Sequence, residues 1–117
     1  MRVFRWVFDS IYDEENFTPQ YHRKPKRFLN SDDKTKCQAM GLSMFDSFDN
    51  AKQRFLFLKN SMGEKKAYES LGTKIAEGYL ETTHGVNSLP DKNGHFTHHP
   101  SESINFVNIF SIIEEKL

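Results

Sequence analysis

The chain has 117 residues, enough for one domain and too few for a second sizeable core. With 16 basic and 16 acidic residues the formal net charge is zero, so no overall field draws it to nucleic acid or to an anionic membrane. Hydrophobic residues make up only 37%, yet 14% are aromatic and 11 are Phe, which excludes a disordered chain and points to a thin core filled by rings.

Cys37 is the one cysteine, so no internal disulfide ties the fold to an oxidising compartment. Arg2 and Arg5 interrupt the apolar N-terminus and Asp9 ends it, leaving no signal-peptide core. No apolar run has the length needed to span a bilayer. The expected location is cytoplasmic, with no membrane partner.

Residues 2–8 alternate, with Phe4, Trp6 and Phe8 on one side and Val3, Arg5 and Val7 on the other. This predicts a strand whose ring-bearing face meets the core and whose Arg5 faces away. Residues 9–30 carry Pro19 and Pro25 and read as a long, mostly irregular segment. Ser31 is placed to cap a short helix through Met40, with Asp32 and Asp33 in its first turn and Gly41 as its stop. A short strand follows at 42–45. Asp46 or Ser47 then caps the main helix at 48–60, whose stripe is Phe48, Ala51, Phe55 and Leu58.

Residues 64–71 suit a helical turn and 73–81 a strand weakened or bulged at Gly78. Asp91-Lys92-Asn93-Gly94 is a hairpin turn joining 86–89 to 95–99, and 100–102 suggest a brief helical turn. Residues 106–113 fit either period; β-branched dominance favours a strand. Together these predict an α+β domain: a small, mostly antiparallel sheet of about five strands, packed against the main helix and one or two short helices.

Three groups of residues have chemical potential. Arg5, Ser43 and Glu77 or Glu81 fall on separate strands. Brought into one cleft, the arginine would hold a phosphate bidentately and the glutamate, with Glu81 preferred, would bond a ribose hydroxyl; three unrelated surface residues are the plainer reading. The run Tyr21-His22-Arg23-Lys24-Pro25-Lys26-Arg27-Phe28 sets four cations between two rings, a pattern suited to phosphates and bases. The nearby acids Asp13, Glu14, Glu15, Asp32 and Asp33 offset it, and a solvated loop is its plainer reading. His95 and His99 share a strand face but match no strong zinc signature, so no metal site is expected. Lys34 and Lys36 lie beside Cys37, which reads as a buried or incidental thiol rather than a nucleophile.

The segment Gly41-Leu42-Ser43-Met44-Phe45-Asp46-Ser47-Phe48-Asp49-Asn50-Ala51 resembles small uncharacterised bacterial or phage-type proteins. These have a Gly-Leu-Ser-x-Phe strand, a helix with an early alanine, a later strand (here 73–81) and a Gly-His-aromatic hairpin (here Gly94-His95-Phe96). The Arg2-Val3-Phe4-Arg5 start fits the same pattern. A more distant likeness runs to the ADP-ribosyltransferase-like fold, whose small toxins begin with an arginine-bearing strand and carry a Ser-, Thr- or Asp-ended strand before a helix. That likeness puts Arg5 and Ser43 at those positions. Neither Glu77 nor Glu81 stands in the Glu-x-Glu pattern.

Three functions follow as expectations. The one favoured from the sequence is a binding or inhibitory accessory protein with a protein partner, anchored by Tyr12, Phe17 and Tyr21. The second is an NAD-using, ADP-ribosyltransferase-like enzyme or toxin with Arg5 as phosphate clamp, Ser43 as cleft wall and Glu81 as ribose partner. The third is a nucleic-acid binder using Arg23, Lys24, Lys26 and Arg27. The residues leave the cofactor and the oligomeric state unknown.

Overall fold

Strand β1, Arg2–Val7, is central, and the rest of the molecule is arranged around it. The computed structural model describes residues 1–101, 104–114, 116 and 117. Among these, β1 is followed by three short helical turns, at Glu14–Phe17, Gln20–Arg23 (α1) and Pro25–Phe28. Next come α2 (Asp33–Ala39), β2 (Leu42–Phe45), α3 (Phe48–Met62), α4 (Glu64–Ser70) and β3 (Lys74–Tyr79). A turn at Thr82–His84 leads to β4 (Gly85–Asn87) and β5 (His95–Pro100). A last turn, Phe106–Asn108, precedes β6 (Phe110–Glu114). The fold is α+β: the strands form one antiparallel sheet in the order β4-β5-β2-β1-β3-β6, six strands where about five are predicted.

The local signals explain most boundaries. Ser47 caps α3 by accepting from the Asn50 N–H, and the predicted stripe presses Ala51 and Phe55 into the interior. Asp32, rather than Ser31, caps α2 by accepting from the Thr35 N–H at 2.7 Å. Gly94 takes φ +71, and an added Cβ there would strike the Asp46 and Asn50 side chains, so the hairpin turn needs glycine. Gly78 lies under the Phe110 ring, which an added Cβ would approach to 3.0 Å, tighter than an ordinary contact; the irregularity of β3 falls instead at Ile75/Ala76. Residues 106–113 divide into a turn and a strand. The brief turn expected at 100–102 includes Glu102, outside the described residues.

Rings from β1 and α3 do meet. Trp6 stands edge-on to Phe55 at 5.5 Å between centroids, and Phe4 edge-on to Phe48 at 6.3 Å. With Phe45, Ala51, Ala67, Ile75 and Leu117 they form the core under α3 and α4. The expectation of an outward second face of β1 is overturned. Val3 and Val7 are fully buried and Arg5 nearly so, because residues 9–30 and the C-terminal segment fold across that face. There Val3, Val7, Leu42, Met44, Ala76, Leu80, Phe96, Phe106 and Phe110 make a second core. Phe8 lies beyond the end of β1, half-buried under the Arg23 guanidinium, and belongs to neither core.

Asn16 staples the crossing segment down. Its side chain accepts from the Phe8 N–H at 2.6 Å and donates to the Ser10 carbonyl at 2.6 Å. Phe55→Ala, at the fully buried centre of the α3 core, should lower unfolding free energy by about 3–5 kcal/mol, measured by urea denaturation.

Candidate functional site

The sheet parts at its middle. Among the described residues β1 pairs with β2 only at Phe4↔Phe45; a continued ladder would set Trp6 opposite Ser43. Instead Trp6 Nε1 donates to the Ala51 carbonyl of α3 at 2.9 Å, and Ser43 pairs with Thr97 of β5 on the other side. A cavity of about 490 Å³ opens at this split. Its walls come from β1, β2, α2, residues 18–28 and the β4–β5 hairpin.

Arg5 crosses the gap. Its Nη1 donates to the Ser43 carbonyl at 2.5 Å and its Nε to the Asn16 carbonyl at 2.7 Å. The Phe17 ring lies 5.9 Å from its guanidinium carbon. No carboxylate of the described residues pairs with it. Burial, and then repulsion from Arg23, lower its pKa to about 10, so it stays charged at neutral pH.

Arg23 leaves the basic run and turns into the same cavity, its guanidinium 5.4 Å from the Phe8 ring centre. One nitrogen reaches Glu15 at 3.4 Å, while Nε is buried and has no partner among the described residues. Lys24, Lys26 and Arg27 point to solvent. The run predicted as one patch is therefore divided: one cation faces the cleft and three face water.

Ser43 and His95 sit two positions apart across the β2–β5 ladder, where Phe45 pairs with His95 and Ser43 with Thr97. Ser43 Oγ lies 3.0 Å from His95 Nε2. His95 Nδ1 is 4.0 Å from Asp91 Oδ2, and the other Asp91 oxygen accepts from the backbone N–H groups of Asn93 and His95. Partial burial pulls the His95 pKa below its usual value against the Asp91 charge, with Arg54 and Arg5 adding to the fall. Burial opposes the Asp91 charge, but the Asn93 and His95 N–H groups, with the His95 and Arg54 charges, hold its carboxyl below the usual range.

The structure brings Arg5 to the Ser43 carbonyl and places Glu81 elsewhere. Glu81 is exposed and capped into the Thr82–His84 turn, its N–H donating to His84 Nδ1 at 2.9 Å. Glu77 pairs with Arg2. The carboxylate lining the cleft is Asp91 and the titrating partner of Ser43 is His95; neither assignment was predicted. The turn motif at 91–94 was visible, but its approach to Ser43 depends on β5 pairing with β2. Of the predicted protein-binding anchors, Tyr12 is 77% exposed. Phe17 instead stacks on Phe106 at 5.2 Å, half-buried against the second core, and Tyr21, also half-buried, stacks on Phe28 at 6.0 Å. Each of these two rings keeps only part of its surface free for a partner.

Cys37 is exposed. Among the described residues no three His, Cys, Asp or Glu side chains are grouped to hold a metal, and no helix is long and apolar enough to cross a membrane.

His98 is buried. Its Nδ1 lies 2.6 Å from Asn87 Oδ1, and Nε2 has no partner among the described residues. Burial lowers its pKa, opposed by the nearby His84 backbone and aided by the His84 and His99 charges. Below the ordinary imidazole value of 6.5, the unfolded chain takes up protons that folded His95 and His98 bind less readily. Stability should therefore fall as pH drops below 6.5, and melting temperatures of His98→Gln across that range should show a shallower fall than the parent. The chain matches no family model, no curated protein and no solved structure.

Proposed function

We propose that the cleft binds a phosphate-bearing nucleotide and that the chain acts on NAD in the manner of an ADP-ribosyltransferase-like enzyme. One observation carries this reading: two guanidiniums, Arg5 and Arg23, share a cavity in which Arg5 is buried without a carboxylate partner among the described residues. Two like charges in a poorly solvated space repel, and an anion placed between them relieves both repulsion and desolvation. Arginine suits phosphate because its planar fork bonds two oxygens at once. The volume, about 490 Å³, lies within the range of small-molecule sites.

In this reading the pyrophosphate lies against Arg5 and Arg23, and the nicotinamide ribose against Ser43 and His95. His95 takes the place in the cleft that the sequence assigned to Glu81. The protein-contact reading keeps Tyr12 as a free anchor, while Phe17 is half-buried against the second core. The nucleic-acid reading keeps Lys24, Lys26 and Arg27 on the surface but loses Arg23 to the cleft. The cleft supports the nucleotide reading above either.

NAD at about 1 mM, the upper end of common substrate affinities, should raise the melting temperature, since a ligand of the native state stabilises it. Arg23→Gln should weaken binding by about 10- to 100-fold, the loss expected for a charge-assisted hydrogen bond. Inorganic pyrophosphate should compete. An unchanged melting temperature with both NAD and pyrophosphate would remove the reading.

A further inference from the structure

We infer that Ser43 is an activated nucleophile, with His95 as its general base and Asp91 as the residue that positions the base. Ser43 Oγ is 3.0 Å from His95 Nε2, inside the reach that proton abstraction requires. The Ser43 side chain is open to solvent at the cleft wall, so an electrophile can approach it.

His95 is held for this role from several sides. The Phe45 ring packs edge-on against it at 5.4 Å. Its own backbone N–H donates to Asp91, fixing the carboxylate that faces Nδ1. That carboxylate favours the proton on Nδ1, leaving the Nε2 lone pair toward Ser43. The charged groups acting on the ring are Asp91, Arg54 and Arg5, and with partial burial they leave it neutral at pH 7, the form that accepts a proton.

The electrophile is assigned from the proposed nucleotide reading and rests on it; the nucleophile does not. With pyrophosphate at Arg5 and Arg23, the anomeric carbon bonded to nicotinamide is the electrophilic centre nearest Ser43. The serine oxygen forms a bond to that carbon and the carbon–nitrogen bond breaks. Nicotinamide leaves neutral with the electron pair of that bond, and the hydroxyl proton passes to His95. The product is Ser43 carrying one ADP-ribosyl group.

Two probes separate the claims. A fluorophosphonate needs only an activated serine: the oxygen bonds to phosphorus, fluoride leaves, and His95 takes the proton. Intact-mass and peptide analysis should show one adduct, on Ser43, formed by the folded protein and not by urea-unfolded chain. Ser43→Ala should abolish it, and His95→Gln should slow it by about 100-fold. Asp91→Asn, which retains the turn acceptor, should slow labelling and move its pH midpoint downward, because the Asp91 charge raises the His95 pKa. A purely structural Asp91 would leave that midpoint in place. In parallel, NAD should leave one ADP-ribosyl mass on Ser43 with release of nicotinamide. Equal fluorophosphonate labelling of the parent, Ser43→Ala and unfolded chain overturns the nucleophile. Labelling at Ser43 with no NAD-derived adduct overturns the electrophile. Absence of any NAD or pyrophosphate binding overturns the nucleotide reading that suggested it.

Discussion

Where β1 and β2 part, the Arg5 guanidinium stands in for the missing ladder. It bonds the Ser43 carbonyl of one half of the sheet and the Asn16 carbonyl of the segment that covers it. A charge in that position is costly to desolvate, and two carbonyl dipoles offset only part of the cost. The split, the covering segment and the cavity all converge on this side chain. An apolar residue would spare the desolvation but leave the two carbonyls without these donors.

The cleft has a charge gradient built from separate stretches of chain. Arg5 and Arg23 supply the cationic end, while Asp91 and His95 stand at the hairpin end, with Ser43 between them. Net charge hides this arrangement, because most carboxylates lie elsewhere: Glu77 is paired to Arg2, Glu114 to Lys52, and Glu81 is folded into its own turn, while Glu15 reaches Arg23 only at 3.4 Å. A neutral chain can therefore hold a strongly polarised site.

The parts of the fold that were legible are those decided within a few residues. The stripe Phe48, Ala51, Phe55 specifies α3 because a helix aligns those positions whatever packs against them. Alternation at the N-terminus gives β1, and Asn93-Gly94 gives the hairpin. Arg5 and Ser43 were legible as candidates because a charged or hydroxyl residue inside an apolar strand stands out. Arg5 was misplaced to an outer face because β1 is covered on both sides, and period-two alternation does not say what covers the second.

The sequence by itself determined the main helix, most strands, the ring-rich core beneath α3 and the α+β class, since each follows from local periodicity, capping and burial of apolar area; the three short helical turns within residues 9–30 and the sixth strand lay outside it. Only the tertiary structure decided which charges meet. Pairing β5 with β2 brings His95 across 52 positions to Ser43, and folding residues 9–30 over β1 turns Arg23 inward while Lys24, Lys26 and Arg27 stay outside. The physical reason is that strand register and loop crossing are set by the packing of the whole sheet. No short window of sequence contains the partner that fixes a side chain's neighbours.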